Sequence, residues 1–420
     1  MTHIHTNTLS WLPFANAERT STQAATRSLA ATVALAFGIV VFQVFVVCLF
    51  ARPIPFAAKY QSFIQWDSNW YAHVATVGYK NAAPANSGLP DRTNVTFLPA
   101  YPLAADLVKM ATGWNIRIAL LVAAQLAAVG FWIYFLLICE RWGFTNKAMI
   151  VTGAVILVFP TAFYFAAGYT ESLFAMNLLG FFYWTADTRK YAWIPAALHG
   201  FLLGFTRIIG FALAVVPFFS RGFPSAVRRP STWFVAAATL AGPLTFLAYI
   251  QWKFGDWHLF LTAANSPGWG QRADFMGLLD PKMYRLFWPN MTSGLPKPDD
   301  LSRLSYPLML IGMAAVAMLD AFFSLRRAAS GFRERLPLYV GVIALWVVYA
   351  GARYHSPSGS IRYMLPIFAL LALAVAHLTH NTKGHRLSHL MEFLLPAFFI
   401  ICIILQTGYI AIFTGGGWIA

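Results

Sequence analysis

The chain has 420 residues, 59% of them hydrophobic and only 15 of them Asp or Glu, and its mean hydropathy is +0.60. No water-soluble core needs that much apolar surface, so the composition excludes a soluble globular fold and points to lipid as the natural solvent. The net charge of +15 sits mostly in short loops between apolar runs. That is the mark of membrane topology and anionic headgroups, and no basic stripe with interleaved aromatics points to nucleic acid.

In chain order, residues 1–28 form a Thr/Ser-rich tail with Arg19 and Arg27. The apolar run after it is too long for a removed signal peptide and has no small-residue cleavage site, so it is read as a first span, 29–50. Further spans are expected over 116–138, 148–167, 171–186, 232–252, 305–323, 337–352, 362–380 and 391–414. The stretch 191–219 carries Thr206-Arg207 in its middle and Pro195 and Pro217 near its ends. Charge decides how to read it. Only if it is two short helices meeting near Arg207 do all the basic loops fall on one face: Arg141/Lys147, Arg189/Lys190, Arg221/Arg228/Arg229, Arg326/Arg327/Arg333/Arg335 and Lys383/Arg386. By the positive-inside rule that face is cytoplasmic. The expectation is an all-α polytopic membrane protein of about eleven spans, with a cytoplasmic tail 1–28 and one integral membrane domain, 29–420. Two long outer segments remain, about 51–115 and 253–304. The second is rich in Trp, Pro and Gly, including Trp257, Trp269 and Trp288.

The chemistry-bearing residues lie in and around those segments. In the first, Trp66-Asp67-Ser68-Asn69-Trp70-Tyr71 sets a lone carboxylate among aromatics. Phe63, Trp66, Trp70, Val74 and Val77 follow a helical spacing that would dip one stripe of an interfacial helix into lipid. Asp67 there either accepts a proton from a substrate hydroxyl, with aromatics excluding water, or simply caps a helix or pairs with an arginine. Phe97-Leu98-Pro99-Ala100-Tyr101-Pro102 reads as a rigid turn before a short helix, about 103–111. Glu171, in the short outer loop Gly168-Tyr169-Thr170-Glu171-Ser172, either complements a helix dipole or faces the same cavity as Asp67. Arg207, deep in an apolar stretch, is costly unless functional or paired with an acid. Arg362-Tyr363 repeats the arrangement, and planar guanidiniums suit phosphate oxygens, although Arg362 is also readable as an interfacial anchor. Cys48, Cys139 and Cys402 lie within apolar runs as packing residues. His73, His199, His258, His355, His377, His380, His385 and His389 show no metal-ligand spacing. No HExxH, GxSxG, P-loop or Rossmann signature is present.

Trp66-Asp67-Ser68-x-Trp70-Tyr71-x-x-Val74-Ala75-x-x-Gly78-Tyr79 resembles the "WDaxhYxxIAxxGY" motif of the PIG-V-type mannosyltransferases, a family with many bacterial relatives. Phe97–Pro102 is similar to its "FFPLYP", Tyr169-Thr170-Glu171-Ser172-Leu173-Phe174 to its "YSESLF", and Thr206-Arg207-x-x-Gly210 to its "TRxxG". Arg362-Tyr363-x-x-Pro366 resembles a C-terminal motif of the class. The matches run in order over about 66–366. The resemblance implies a GT-C fold with interfacial helices in the first outer loop, and a glycosyltransferase of the bacterial cytoplasmic membrane acting at its outer face. It implies a polyprenyl-phosphate-linked sugar donor, mannose by analogy, and a glycolipid, glycan or protein acceptor. Asp67 would be the catalytic base of an inverting transfer, and Arg207 and Arg362 would bind the donor phosphate. Trp66, Tyr71, Tyr101, Tyr169, Glu171 and Tyr363 would position substrates. Many members show paired acids in that loop, whereas Ser68 and Asn69 follow Asp67 here. No metal or other cofactor is therefore expected, although Asp91 or Glu171 could still contribute a second ligand to a divalent metal. The competing reading is a transporter of lipid-linked sugars gripping phosphate with the same arginines, and a third is a noncatalytic subunit of a glycan-assembling complex. Transporters present charge to both faces in turn, whereas the unusual charges here gather on the outer side.

Overall fold

The structure, a computed structural model, describes residues 27–52, 55–81, 93–266, 269, 271–280, 298–326, 330–352, 360–382 and 386–419. Asp91, Trp288, Arg327, His355, Lys383, His385 and most of the tail 1–28 lie outside the described residues. Helices run in the order α1 (Leu29–Phe50), α2 (Phe56–Gln61), α3 (Asp67–Val77), α4 (Ala100–Thr112), α5 (Ile116–Arg141), α6 (Asn146–Leu157), α7 (Glu171–Thr185) and α8 (Trp193–Thr206). They continue as α9 (Phe223–Val227), α10 (Pro230–Phe254), α11 (Leu259–Asn265), α12 (Pro298–Leu325), α13 (Phe332–Ala352), α14 (Ser360–Asn381) and α15 (Arg386–Thr414). Short 3₁₀ turns occupy Asn94–Thr96, Ala162–Phe165, Ile208–Phe218 and Met276–Leu279. The described residues contain no strand, as expected where backbone polar groups must be satisfied within lipid.

Among the described residues, seven helices are long and apolar enough to cross a membrane: α1, α5, α10, the Leu304–Leu325 part of α12, α13, α14 and the Phe393–Thr414 part of α15. The other four expected spans are short segments of 12, 15, 14 and 11 residues (α6, α7, α8 and Ile208–Phe218), against the ~20 residues a full crossing takes. α14 is the most enclosed, with 78% of its most apolar window buried, whereas α12 has 17% and forms the lipid-like exterior.

The expected span 148–167 is not one helix. α6 stops at Leu157, because Pro160 cannot continue the ladder and restricts the residue before it. Carbonyls freed at that break need partners. Gln406 of α15 donates its Nε2 to the carbonyls of Leu157 (2.9 Å) and Phe159 (2.8 Å), and Gln43 of α1 donates to that of Ala162 (2.9 Å). Two outer helices are thus tied to the core by amides serving a broken helix. Gln406→Leu is expected to cost about 1–3 kcal/mol, the penalty for stranding buried acceptors. Unfolding in mixed micelles measures it, and an unshifted transition would show that those carbonyls find other partners.

The split expected at Arg207 is present. α8 ends at Thr206, Arg207 is extended (φ −144°, ψ 132°), and Ile208–Phe218 folds back against α8. Gly210 makes the reversal possible, since a Cβ there would lie 2.4 Å from the Leu203 carbonyl carbon and 2.6 Å from the Gly204 nitrogen. That is the steric reason for glycine three residues after this arginine.

Three of the expected basic loops meet around one acid. Arg141 and Arg189 share Asp187, to whose carbonyl Arg221 donates, and Arg27 lies 3.6 Å from Glu140. Arg335, grouped with these loop cations by sequence, is instead fully buried in α13. It makes a bidentate pair with buried Asp320 of α12 (2.7 and 2.6 Å), which also accepts from Tyr339 (2.7 Å). The same arginine meets His377, whose ring packs 4.5 Å from that of Trp142. The expectation that unusual charges gather only on the outer side is therefore corrected: a charge hidden between spans looks, in sequence, like a loop charge.

Candidate active site

Asp67 is the first residue of α3, where the helix dipole complements a carboxylate. The preceding Trp66 has φ +45°, the only non-glycine residue among those described with a positive φ. That conformation costs on the order of 1–3 kcal/mol and persists where surrounding structure imposes it. The helix therefore begins later than the apolar spacing implies. Phe63 lies before it and is buried, Val74 is buried, and Trp66 and Val77 are exposed, so the expected stripe is not one lipid-facing surface.

The site is an alternating chain of charges. Asp67 Oδ2 accepts from Arg362 Nη1 at 2.9 Å. Arg362 Nε lies 3.2 Å from Glu171 Oε1, which accepts from Arg207 Nη2 at 2.5 Å. Arg207 also donates from Nε to Thr170 Oγ1 (2.8 Å) and from Nη1 to the Tyr349 hydroxyl (3.3 Å). Two carboxylates and two guanidiniums thus neutralise one another in a largely buried setting, the arrangement that makes buried charge tolerable. Arg362 is no interfacial anchor: it is 2% exposed. Its guanidinium carbon lies 4.8–5.4 Å from the ring centres of Tyr363, Tyr169 and Tyr164. Asp67 starts a helix and pairs with an arginine, and it also borders open space.

That space is a cavity of about 890 Å³. Asp67, Arg207, Arg362, Trp66, Tyr71 and Tyr363 all line it. Asp67 Oδ1 has no hydrogen-bond partner among the described residues, and the side chain is 14% exposed. Burial, with the neighbouring Asp67 charge, pushes the Tyr71 phenol well above its usual range, so it remains a donor; its hydroxyl lies 3.5 Å from Thr170 Oγ1.

Three expected substrate-positioning residues are placed elsewhere. Tyr101 is fully buried and donates to the Leu120 carbonyl (2.7 Å), while its ring packs edge-on against Tyr71. Tyr169, also fully buried, donates to the Gln65 carbonyl at 3.1 Å. Glu171 lies under the arginines rather than in the cavity wall. All three brace residues that do line the cavity. No grouping of three His, Cys, Asp or Glu side chains suited to a metal occurs among the described residues.

Sequence reasoning missed Tyr349, Trp418 and the wall made by Trp269. Trp269 packs against Trp70 and Phe97 (5.5 and 5.3 Å between ring centres) and donates from its indole to the Thr93 carbonyl. Trp269 thereby joins the second outer segment to the first, and the segment's aromatic richness was the available signal. For Trp418 there was none.

No family model matches the chain, and no curated protein matches its sequence. Solved structures similar to it include the following two. One is the crystal structure of ArnT from Cupriavidus metallidurans bound to undecaprenyl phosphate, with TM-score 0.49 and 12% identity over 93% of this chain and 77% of that one. The other is the archaeal oligosaccharyltransferase AglB from Archaeoglobus fulgidus in complex with an inhibitory peptide and a dolichol-phosphate, with TM-score 0.47 and 11% identity over 90% of this chain. The chain spans only 56% of that second protein's length.

Proposed function

We propose that this protein is a membrane glycosyltransferase of GT-C type. It would move a sugar, mannose by the motif resemblance, from a polyprenyl phosphate to an acceptor hydroxyl on the outer membrane face. The observation that carries the reading is the half-engaged carboxylate: Asp67 is held through one oxygen by Arg362 and offers the other to a cavity lined by Arg207, Arg272 and Arg362. A base fixed in that way needs no reorientation before accepting a proton.

In the reaction the acceptor O–H gives its proton to Asp67 Oδ1, and its oxygen attacks the anomeric carbon. The bond from that carbon to the phosphate oxygen breaks, and its electron pair leaves with the lipid phosphate. Arg207 is the more accessible guanidinium, 12% exposed against 3% for Arg362, and the one of the two that donates to the Tyr349 hydroxyl. It receives the growing phosphate charge, while Arg362 fixes Asp67. Attack from the face opposite the leaving group inverts the anomeric centre.

Purified protein in lipid vesicles, given polyprenyl-phosphate-[¹⁴C]mannose and a membrane lipid extract, is expected to move label into a new product. Label that crosses the bilayer without a new product would replace this reading with transport.

A further inference from the structure

We propose that Trp418 and Trp66 form a subsite for a neutral pyranose ring of the acceptor, beside Asp67. The inference rests on the transferase reading for the role of Asp67, but not for the existence of the subsite.

The segment after α15 is built to reach the site. α15 ends at Thr414, and Gly415, Gly416 and Gly417 turn the chain back, donating to the carbonyls of Ala411, Phe413 and Ile412. Gly416 has φ +82°, and a Cβ on Gly417 would lie 2.6 Å from Ile412 Cγ2, so the turn requires glycine there. Arg52 holds the turn from the end of α1, its backbone amide donating to Thr414 Oγ1 and its Nε to the Ala411 carbonyl. Trp418 is thereby delivered to the cavity wall, 5.7 Å from the Arg362 guanidinium carbon.

Trp66 meets it there. Its indole N–H donates to the Gly417 carbonyl (3.1 Å), and the two indoles stand 5.5 Å apart at 76°. That contact occupies the polar edge of Trp66, yet the residue stays 40% exposed, on the strained backbone that leads into Asp67. The result is an aromatic corner next to a carboxylate oxygen. Indole rings pack against the C–H face of a pyranose, and an adjacent carboxylate accepts from one of its hydroxyls.

The contacts also divide the cavity. Of the two arginines, only Arg207 meets Thr170 and Tyr349 and only Arg362 meets Asp67 and Trp418, while both meet Glu171 and Tyr363. The phosphate side and the indole side therefore flank Asp67 differently, and the indole side is the one next to the base. Asp67, Arg362, Glu171 and Arg207 neutralise one another, so the cluster beside the indoles carries no net charge to offer an acceptor, while Arg272 lines the same cavity.

The test uses full-length protein carrying 5-fluorotryptophan in lipid nanodiscs, with the Trp418 and Trp66 ¹⁹F resonances assigned by their loss in Trp418→Phe and Trp66→Phe. Methyl pyranosides of the gluco, manno and galacto series are titrated in, with N-acetylserine amide as a peptide-like probe. At least one pyranoside is expected to move both resonances, and the serine amide neither. In the labelled-mannose assay, Trp418→Ala is expected to raise the acceptor KM by about three- to tenfold, the worth of one aromatic contact. Its donor KM should be unchanged, and Trp418→Phe should recover most of the loss. Resonances unmoved by every pyranoside, or moved by the serine amide instead, overturn the subsite, as does an unchanged acceptor KM in Trp418→Ala. Pyranoside-dependent shifts in a protein that transfers no label would uphold the subsite while the transferase reading fails.

Discussion

Asp67→Asn is expected to lower transfer by about 10²–10⁴-fold, the usual worth of a positioned base, while leaving the donor KM and the amount of folded protein close to those of the parent. The separation follows from geometry. An Asn at this position keeps the shape of Asp, and its carbonyl oxygen can still accept from Arg362 Nη1, the 2.9 Å contact that anchors the side chain. What it loses is the capacity to take a proton from a hydroxyl at the other oxygen. Initial rates and donor titration on the same purified sample measure the split, and a fully active Asp67→Asn protein would remove Asp67 as the base.

The second large effect concerns stability first and activity second. Glu171 is fully buried and is the acid shared by Arg207 and Arg362. Glu171→Ala leaves two guanidiniums with one carboxylate between them, and breaking a buried charge arrangement in this way costs about 3–5 kcal/mol. The unfolding transition should fall accordingly, and Asp67 should be drawn further onto Arg362, lowering turnover as well. Glu171→Gln should cost less, because it retains an acceptor for Arg207. Adding Arg207→Gln to Glu171→Gln should recover part of the stability but none of the activity, since charge balance returns while the phosphate contact does not. Equal stability of Glu171→Ala and the parent would show that the charge chain is open to water.

Much of this was legible from the chain itself. Hydrophobic runs separated by basic loops determine an all-helical membrane protein, because an apolar stretch of this length has no other way to satisfy its backbone in lipid. The break at Arg207 was readable too, since a guanidinium in the middle of an apolar run, with loop charges on one face, leaves few topologies. The aromatic-flanked Asp67 and the arginines at 207 and 362 were singled out by their cost in such surroundings.

The tertiary structure decided what those residues touch. Local spacing cannot show that Arg362 reaches across the chain to Asp67, or that Glu171 lies beneath two arginines instead of in the cavity. Tyr101 and Tyr169 look in sequence like any aromatic beside a candidate site, and only packing sends their hydroxyls to backbone carbonyls. The buried Asp320–Arg335 pair escaped because the sequence around an arginine does not record which neighbouring helix covers it. Trp418 shows the same limit most plainly. It carries no motif and comes to the site only because a glycine turn after α15 folds back beside α1, a contact between residues more than 350 positions apart. Composition and periodicity are local quantities and determine the solvent and the elements; charge pairing and cavity shape depend on long-range contacts, which exist only once the helices have packed.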